Sequence, residues 1–190
     1  MTMEATKKGL GIIVGNPKVD EFSFGANKNG NVRRGQLVET SVGGVKVIGQ
    51  IDEIAAINEY FDEGATIRYH LEREDLTPYT SKTVFLATTR ALAVVDGNGS
   101  IDSPDLPVVP GSEVLPVSRG TAKEVLGFKE KGINLGVVMH NEDIQVSLDP
   151  DKLIPTHTAI LAQTGGGKTY TVLVMLEEFL NKNLIVWDEV

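Results

Sequence analysis

Residues 162–169 read Ala-Gln-Thr-Gly-Gly-Gly-Lys-Thr. This fits the pattern G-x-x-x-x-G-K-[ST], with Ala162 in the first glycine place, a substitution the motif tolerates. Each position answers a requirement of triphosphate chemistry. Gly165, Gly166 and Gly167 carry no Cβ, so the main chain can turn its N–H groups inward around phosphate oxygens. Lys168 would set an ammonium beside the β- and γ-phosphates, and the Thr169 hydroxyl would be a Mg²⁺ ligand. A helix opening directly after the loop adds the positive end of its dipole and its unsatisfied N–H groups. Ala162, Gln163 and Thr164 complete the loop. Tyr170, just past it, either lies near a base or ribose or packs against its neighbours. The candidate cofactors are ATP and Mg²⁺. A glycine-rich turn that binds nothing is the plain alternative, because so short a pattern also arises by chance. The flanking elements decide between the two.

Those elements are the ones the motif demands. Thr158-Ala159-Ile160-Leu161-Ala162 reads as a short apolar strand leading into the loop. Thr169–Asn181 follows, with Val172, Val174, Met175, Leu176, Phe179 and Leu180 at helical spacing on a wide apolar face. Leu184-Ile185-Val186-Trp187 reads as a second strand. The order strand, loop, helix, strand is one β-α-β unit of a parallel sheet. Asp188-Glu189 ends that second strand, and the string LIVWDE resembles a Walker B strand. There Asp188 would hold Mg²⁺ through water and Glu189 would polarise the attacking water, the one candidate catalytic residue. The order of elements favours a plainer reading. A strand directly after the first helix is the second of the unit, and acids at its end are incidental.

Residues 1–150 have a different character. They hold short apolar segments with period-2 alternation, punctuated by glycine turns, which reads as all-β. Val45, Val47 and Ile51 oppose Lys46, Gln50 and Asp52 in parity; Ile144, Val146 and Leu148 alternate with Gln145, Ser147 and Asp149; Phe22 and Phe24 flank Ser23. The run Thr83–Val95 is too apolar to alternate and is expected to be a strand buried on both faces, bent or broken near Thr89–Arg90. Turns are expected at Asn29-Gly30, Gly43-Gly44 and Gly97-Asn98-Gly99. Asn58–Gly64 and Leu71–Tyr79 read as polar excursions, and Ala122–Phe128 as a short helix ending near Gly127. Asp102–Gly111 carries Pro104, Pro107 and Pro110 and reads as loop. So many short strands predict a small, mostly antiparallel barrel or a sandwich. The predicted organisation is a barrel over 1–150 and the opening β-α-β of an α/β domain over 151–190.

Composition narrows the function classes. Of 190 residues, 41% are hydrophobic and 23% charged, ordinary for a folded globular chain. Net charge is −8, of which −6 falls in the first 150 residues. A broad basic face gripping DNA phosphates is therefore not expected in this chain. No apolar run reaches the roughly 18–20 residues a membrane span needs, and the first residues do not read as a signal peptide. Cysteine is absent, which excludes disulfides, thiolate zinc sites and cysteine nucleophiles and fits a cytoplasmic location. His70, His140 and His157 are scattered without metal-ligand spacing, and Glu72, Glu74 and Asp75 read as a solvated loop.

Taken together, the barrel pieces GLGIIVG, EFSF, RRGQLVET, VIGQIDEI, PVVPGSEV and LGVV, followed by LIPTHTAILAQTGGGKTYTVLVMLEEFL, resemble HerA, the DNA translocase and helicase related to FtsK. The resemblance covers most of the chain and is most specific at Leu153–Thr169. It implies an N-terminal HAS barrel followed by the start of a RecA-like ATPase domain. It also implies a hexameric motor driven by ATP hydrolysis that works with the nuclease NurA in DNA end resection. The barrel would contribute to assembly and nuclease docking. Thr164, Gly165, Gly167, Lys168 and Thr169 match the family's nucleotide loop, while Gly166 stands where Ser is more usual. The family's motor runs well beyond this length, and its arginine finger and DNA-contacting loops have no counterparts here. DNA is therefore expected to be engaged through the full motor, and the chain alone is expected to turn over little or no ATP. The alternatives are a non-catalytic interaction module with a vestigial phosphate loop, and a small nucleotide-binding protein outside the translocases.

Overall fold

Alternating apolar residues in the front of the chain form seven strands: β1 (Gly11–Val14), β2 (Glu21–Ala26), β3 (Leu37–Val42), β4 (Val45–Ile57), β5 (Val84–Val95), β6 (Ile101–Asp102) and β7 (Glu113–Pro116). The computed structural model describes residues 9–27, 31–58, 83–155, 157–182 and 184. They divide between two units, Met1–Ser118 and Arg119–Val190. The expected turn at Asn29-Gly30, all of the first polar excursion but Asn58, the whole of the second, His70, the acids at 72–75, all of the second strand at 184–187 but Leu184, and Asp188-Glu189 lie outside the described residues.

In the first unit the sheet runs β2-β1-β7-β3-β4-β5, and β5 then pairs with β2, so six antiparallel strands close into a barrel. β6 adds a short rung to β5 at Val94 and Val95, past the end of β2. Inward parity follows the alternation. Ile13, Phe22, Phe24, Val38, Val47, Ile51, Ala87 and Val114 fill the interior, joined by Leu10 and Val108. Closing the sheet brings apolar residues far apart in the chain into one core, and complete burial of a ring such as Phe24 stabilises by about 1.5–3 kcal/mol.

One strand reading in this unit is corrected. Thr83–Val95 is one continuous strand but is not covered on both faces. Ala87 and Thr89 point inward, Arg90 points to solvent, and Val84 and Phe85 are exposed. The register of β4 against β5 slips between Ile48 and Gly49 and between Ile51 and Glu53. Such bulges insert one extra residue and reset the inward parity, so a curved strand reads as a continuous apolar run. The strand covered on both sides is β3, where Leu37, Val38, Glu39 and Thr40 are all buried. Its buried acid is satisfied: Glu39 Oε2 accepts the Ser118 N–H at 3.0 Å.

The second unit holds α1 (Arg119–Val125), β8 (Ile133–Val138), β9 (Asn141–Leu148), α2 (Pro150–Leu153) and α3 (Lys168–Asn181). The α1 helix ends as glycine dictates. Gly127 has φ of +69°, and the N–H groups of Gly127 and Phe128 return to the carbonyls of Glu124 and Lys123, the Schellman arrangement. β8 and β9 make a separate two-stranded sheet with Ile133 and Ile144 buried. Asp149 caps α2 by accepting the Asp151 N–H at 3.1 Å.

The strand expected at Thr158–Ala162 is irregular chain: residues 157–163 make no ladder. A strand is held by a hydrogen-bonded neighbour, and all but Leu184 of the neighbour expected for it falls outside the described residues. No helix among the described residues is long and apolar enough to cross a membrane.

Candidate phosphate-binding loop

Glycine sets the shape of the loop. The Gly166 N–H donates to the Gln163 carbonyl at 2.9 Å, closing a turn whose third residue, Gly165, has φ of +80°. Positive φ at that place is what a type II turn requires. Gly167 also lies in the left-handed region, at φ 80° and ψ 12°, and is the residue from which α3 starts. A side chain there would force the strained conformer that L-residues avoid. Nothing stands within 4 Å of where a Cβ would be at Gly165 or Gly167, so conformation and not crowding is what requires glycine at these two places. At Gly166 a Cβ would come within 3.0 Å of the Gln163 carbonyl oxygen and 3.1 Å of the Ala162 Cβ.

The start of α3 supplies donors. The Gly167 carbonyl accepts the Thr171 N–H at 2.9 Å and the Thr171 hydroxyl at 3.1 Å. Helix geometry leaves the N–H groups of Lys168, Thr169 and Tyr170 without intrahelical partners. No side chain among the described residues caps the helix. The Lys168 ammonium folds back over the loop, donating to the Ala162 carbonyl at 2.6 Å and reaching the Gln163 carbonyl at 3.5 Å. One exposed cation and the uncapped amides of the first helical turn thus lie in consecutive residues of the same loop and helix start, a combination suited to a polyanion.

The predicted residues Ala162 to Gly167 form one exposed loop, and Lys168 is the first residue of α3. Thr169 sits in the first turn of α3. Tyr170 is 73% exposed, so of its two readings packing within this chain is the weaker. Asp188 and Glu189 lie outside the described residues. One residue was not foreseen. Glu178, far along α3, turns its Oε2 to the Asn134 N–H of β8 at 3.0 Å, tying the loop's helix to the hairpin. Its signal in the sequence was spacing alone, an acid four residues after Val174 and three after Met175 on the apolar face of the helix. Val172, Leu173, Leu176 and Leu180 stay exposed on another face, and Leu161, just ahead of the loop, is 90% exposed.

Sequence comparison matches residues 133–188 to the family described as Helicase HerA, central domain. The match starts at the first residue of β8 and takes in the whole loop and α3. A probable helicase of Methanocaldococcus jannaschii is 29% identical over 187 residues, covering 94% of this chain and 35% of the relative. A probable DNA double-strand break repair helicase HerA of the same organism is 35% identical over 102 residues, covering 52% of this chain and 19% of the relative. The DNA double-strand break repair helicase HerA of Pyrococcus furiosus is 25% identical over 173 residues, covering 88% of this chain and 31% of the relative. The chain thus spans about a third of the length of the relatives that it matches over most of its own. With a closed barrel in front and a glycine-lysine loop behind it in the sequence, the chain is similar over most of its length to HerA-type helicases.

Proposed function

We propose that this chain is the nucleotide-engaging front portion of an ATP-dependent DNA helicase or translocase acting in double-strand break repair. The observation that supports the reading is the loop: two left-handed glycines, Gly165 and Gly167, lead into a helix start with no side-chain cap, and Lys168 folds back over the loop. Backbone N–H groups of residues 165–169 would hold the phosphates. The Lys168 ammonium would leave the Ala162 carbonyl for the β- and γ-phosphates, an exchange of a neutral acceptor for a charged one. Thr169 would ligate the Mg²⁺ that accompanies ATP, and Tyr170 would border the base or ribose. Asp188 and Glu189 are carried as the weaker candidates for the metal's outer contacts and for polarising water. The α/β unit over 151–190 belongs to the same proposal, with Thr158–Ala162 pairing once a neighbouring strand is provided.

The acidic balance of the barrel supports an assembly and docking role for it rather than a grip on DNA. Assembly into a ring, partnership with a NurA-type nuclease and a cytoplasmic setting belong to this reading through the family. The test is titration calorimetry of ADP and ATP with and without Mg²⁺. The wild-type chain should bind, more tightly with Mg²⁺, and Lys168→Ala should abolish the heat. Equal affinity in the two proteins would overturn the phosphate site. The helicase reading is tested by exchanging this segment for the matching third of the Pyrococcus relative. Strand separation should survive the exchange and vanish with Lys168→Ala.

A further inference from the structure

A concave site lies wholly within the barrel unit and shares no residue with the phosphate loop. Between the β3–β4 turn and residues 102–107 is a hollow of about 520 Å³, within the range of roughly 300–1,000 Å³ in which binding pockets seat an anchoring group. Val45, Val47 and Val94 form its floor, and Leu106 stands at its side with 70% of its surface exposed. Around it are three carboxylates: Asp96, Asp102 and Asp105. Asp96 accepts the N–H groups of Asn98 and Ser100 at 2.8 Å each, and Asp102 accepts the Ser100 hydroxyl at 3.3 Å. These neutral donors orient the carboxylates without cancelling their charge. No cation pairs with any of the three among the described residues. The nearby Lys46 is on the opposite parity of β4 from Val45 and Val47 and does not line the hollow.

We propose that this hollow docks a polypeptide segment of a partner protein that presents an apolar side chain flanked by lysine or arginine. The floor favours an apolar anchor, and burying one stabilises by area. The rim selects what surrounds it. Three uncompensated carboxylates repel nucleic-acid phosphates and anionic lipid headgroups, and they attract a basic peptide. A second copy of this chain, with its net charge of −8, is the poorer electrostatic match. The proposal rests on the docking role proposed above for the barrel and shares no residue with the phosphate loop, so loss of nucleotide binding and loss of peptide binding are distinguishable.

The experiment selects a displayed library of random 12-residue peptides on the immobilised full chain, then measures the enriched peptides by fluorescence anisotropy. Two variants are compared with wild type: Leu106→Arg, and the pair Asp102→Asn with Asp105→Asn. All three side chains are exposed, and Asp96 is kept because its carboxylate closes the turn. Enriched peptides should carry Leu, Ile, Val or Phe next to Lys or Arg. Leu106→Arg should weaken binding about tenfold, and the double variant about fivefold with a flatter salt dependence. Lys168→Ala should leave peptide affinity unchanged. Several results would overturn the proposal: no enrichment, enrichment of acidic or uncharged peptides, or affinity indifferent to Leu106→Arg. So would wild-type self-association by light scattering that Leu106→Arg abolishes, because the groove would then hold a second copy.

Discussion

Replacing Gly167 by Ala separates backbone geometry from side-chain chemistry at the phosphate loop. Gly167 sits at φ 80° and ψ 12°, and nothing lies within 4 Å of the position its Cβ would take. The added methyl group therefore meets no neighbour, and the whole effect is conformational. A left-handed L-residue costs about 1–2 kcal/mol. In an exposed loop the free protein escapes that strain by relaxing, and ligand binding must restore it. The penalty then appears in affinity: 1–2 kcal/mol corresponds to about a 5- to 30-fold rise in Kd for Mg-ADP. Helix α3 should persist, because its first carbonyl at Gly167 still accepts from Thr171. The assay is calorimetric titration of wild type, Gly167→Ala and the control Gly43→Ala, with circular dichroism to follow helix content. Gly43 also has positive φ, 59°, and open space, but it lies in the β3–β4 turn. It should lose some stability and no nucleotide affinity. The argument is refuted if Gly167→Ala binds within twofold of wild type, or if Gly43→Ala loses as much.

Three further substitutions probe the scaffold. Thr89→Val should stabilise the barrel by about 1 kcal/mol in urea melts, because Thr89 Oγ1 is fully buried and has no hydrogen-bond partner among the described residues; a loss of stability would show that the hydroxyl is satisfied. Phe24→Ala should destabilise the first unit by about 3–5 kcal/mol, since the ring is completely buried in the barrel core, and a loss below 1 kcal/mol would contradict that packing. Glu178→Gln keeps an acceptor for the Asn134 N–H but removes its charge. It should cost about 1 kcal/mol in the melt of the second unit, and no change would mean that the contact is not made in solution.

The barrel was readable to the extent that alternation reports faces. Phe22, Phe24, Val47 and Ile51 announced which side of each strand meets the core. Partners were harder to read. Nothing local says that β7 inserts between β1 and β3, that β5 closes onto β2, or that 133–148 forms its own sheet, because pairing is decided by contacts distant in sequence. Thr83–Val95 misled because bulges against β4 shift its parity without changing its composition. At the candidate site the loop was legible since its chemistry is contiguous. The hold of Glu178 on Asn134 was not, because it joins residues 44 apart in the chain. The acidic rim was equally hidden, with Asp96 in a turn and Asp102 and Asp105 on the following segment.

Closure of the six strands also governs how the molecule meets others. An open sheet ends in two strands whose unpaired amides and carbonyls invite a foreign chain to extend the ladder, the route to fibrils. A ring of strands offers no such terminus along most of its circumference, so its neighbours must recognise side chains and hollows instead of main chain. The hairpin β8–β9 lacks that protection, and its sequence provides other safeguards. Register slips near Gly136 interrupt the repeat on one strand, and the adjacent acids Glu142 and Asp143 set like charges along the other, where any stacked copy would face its own repulsion.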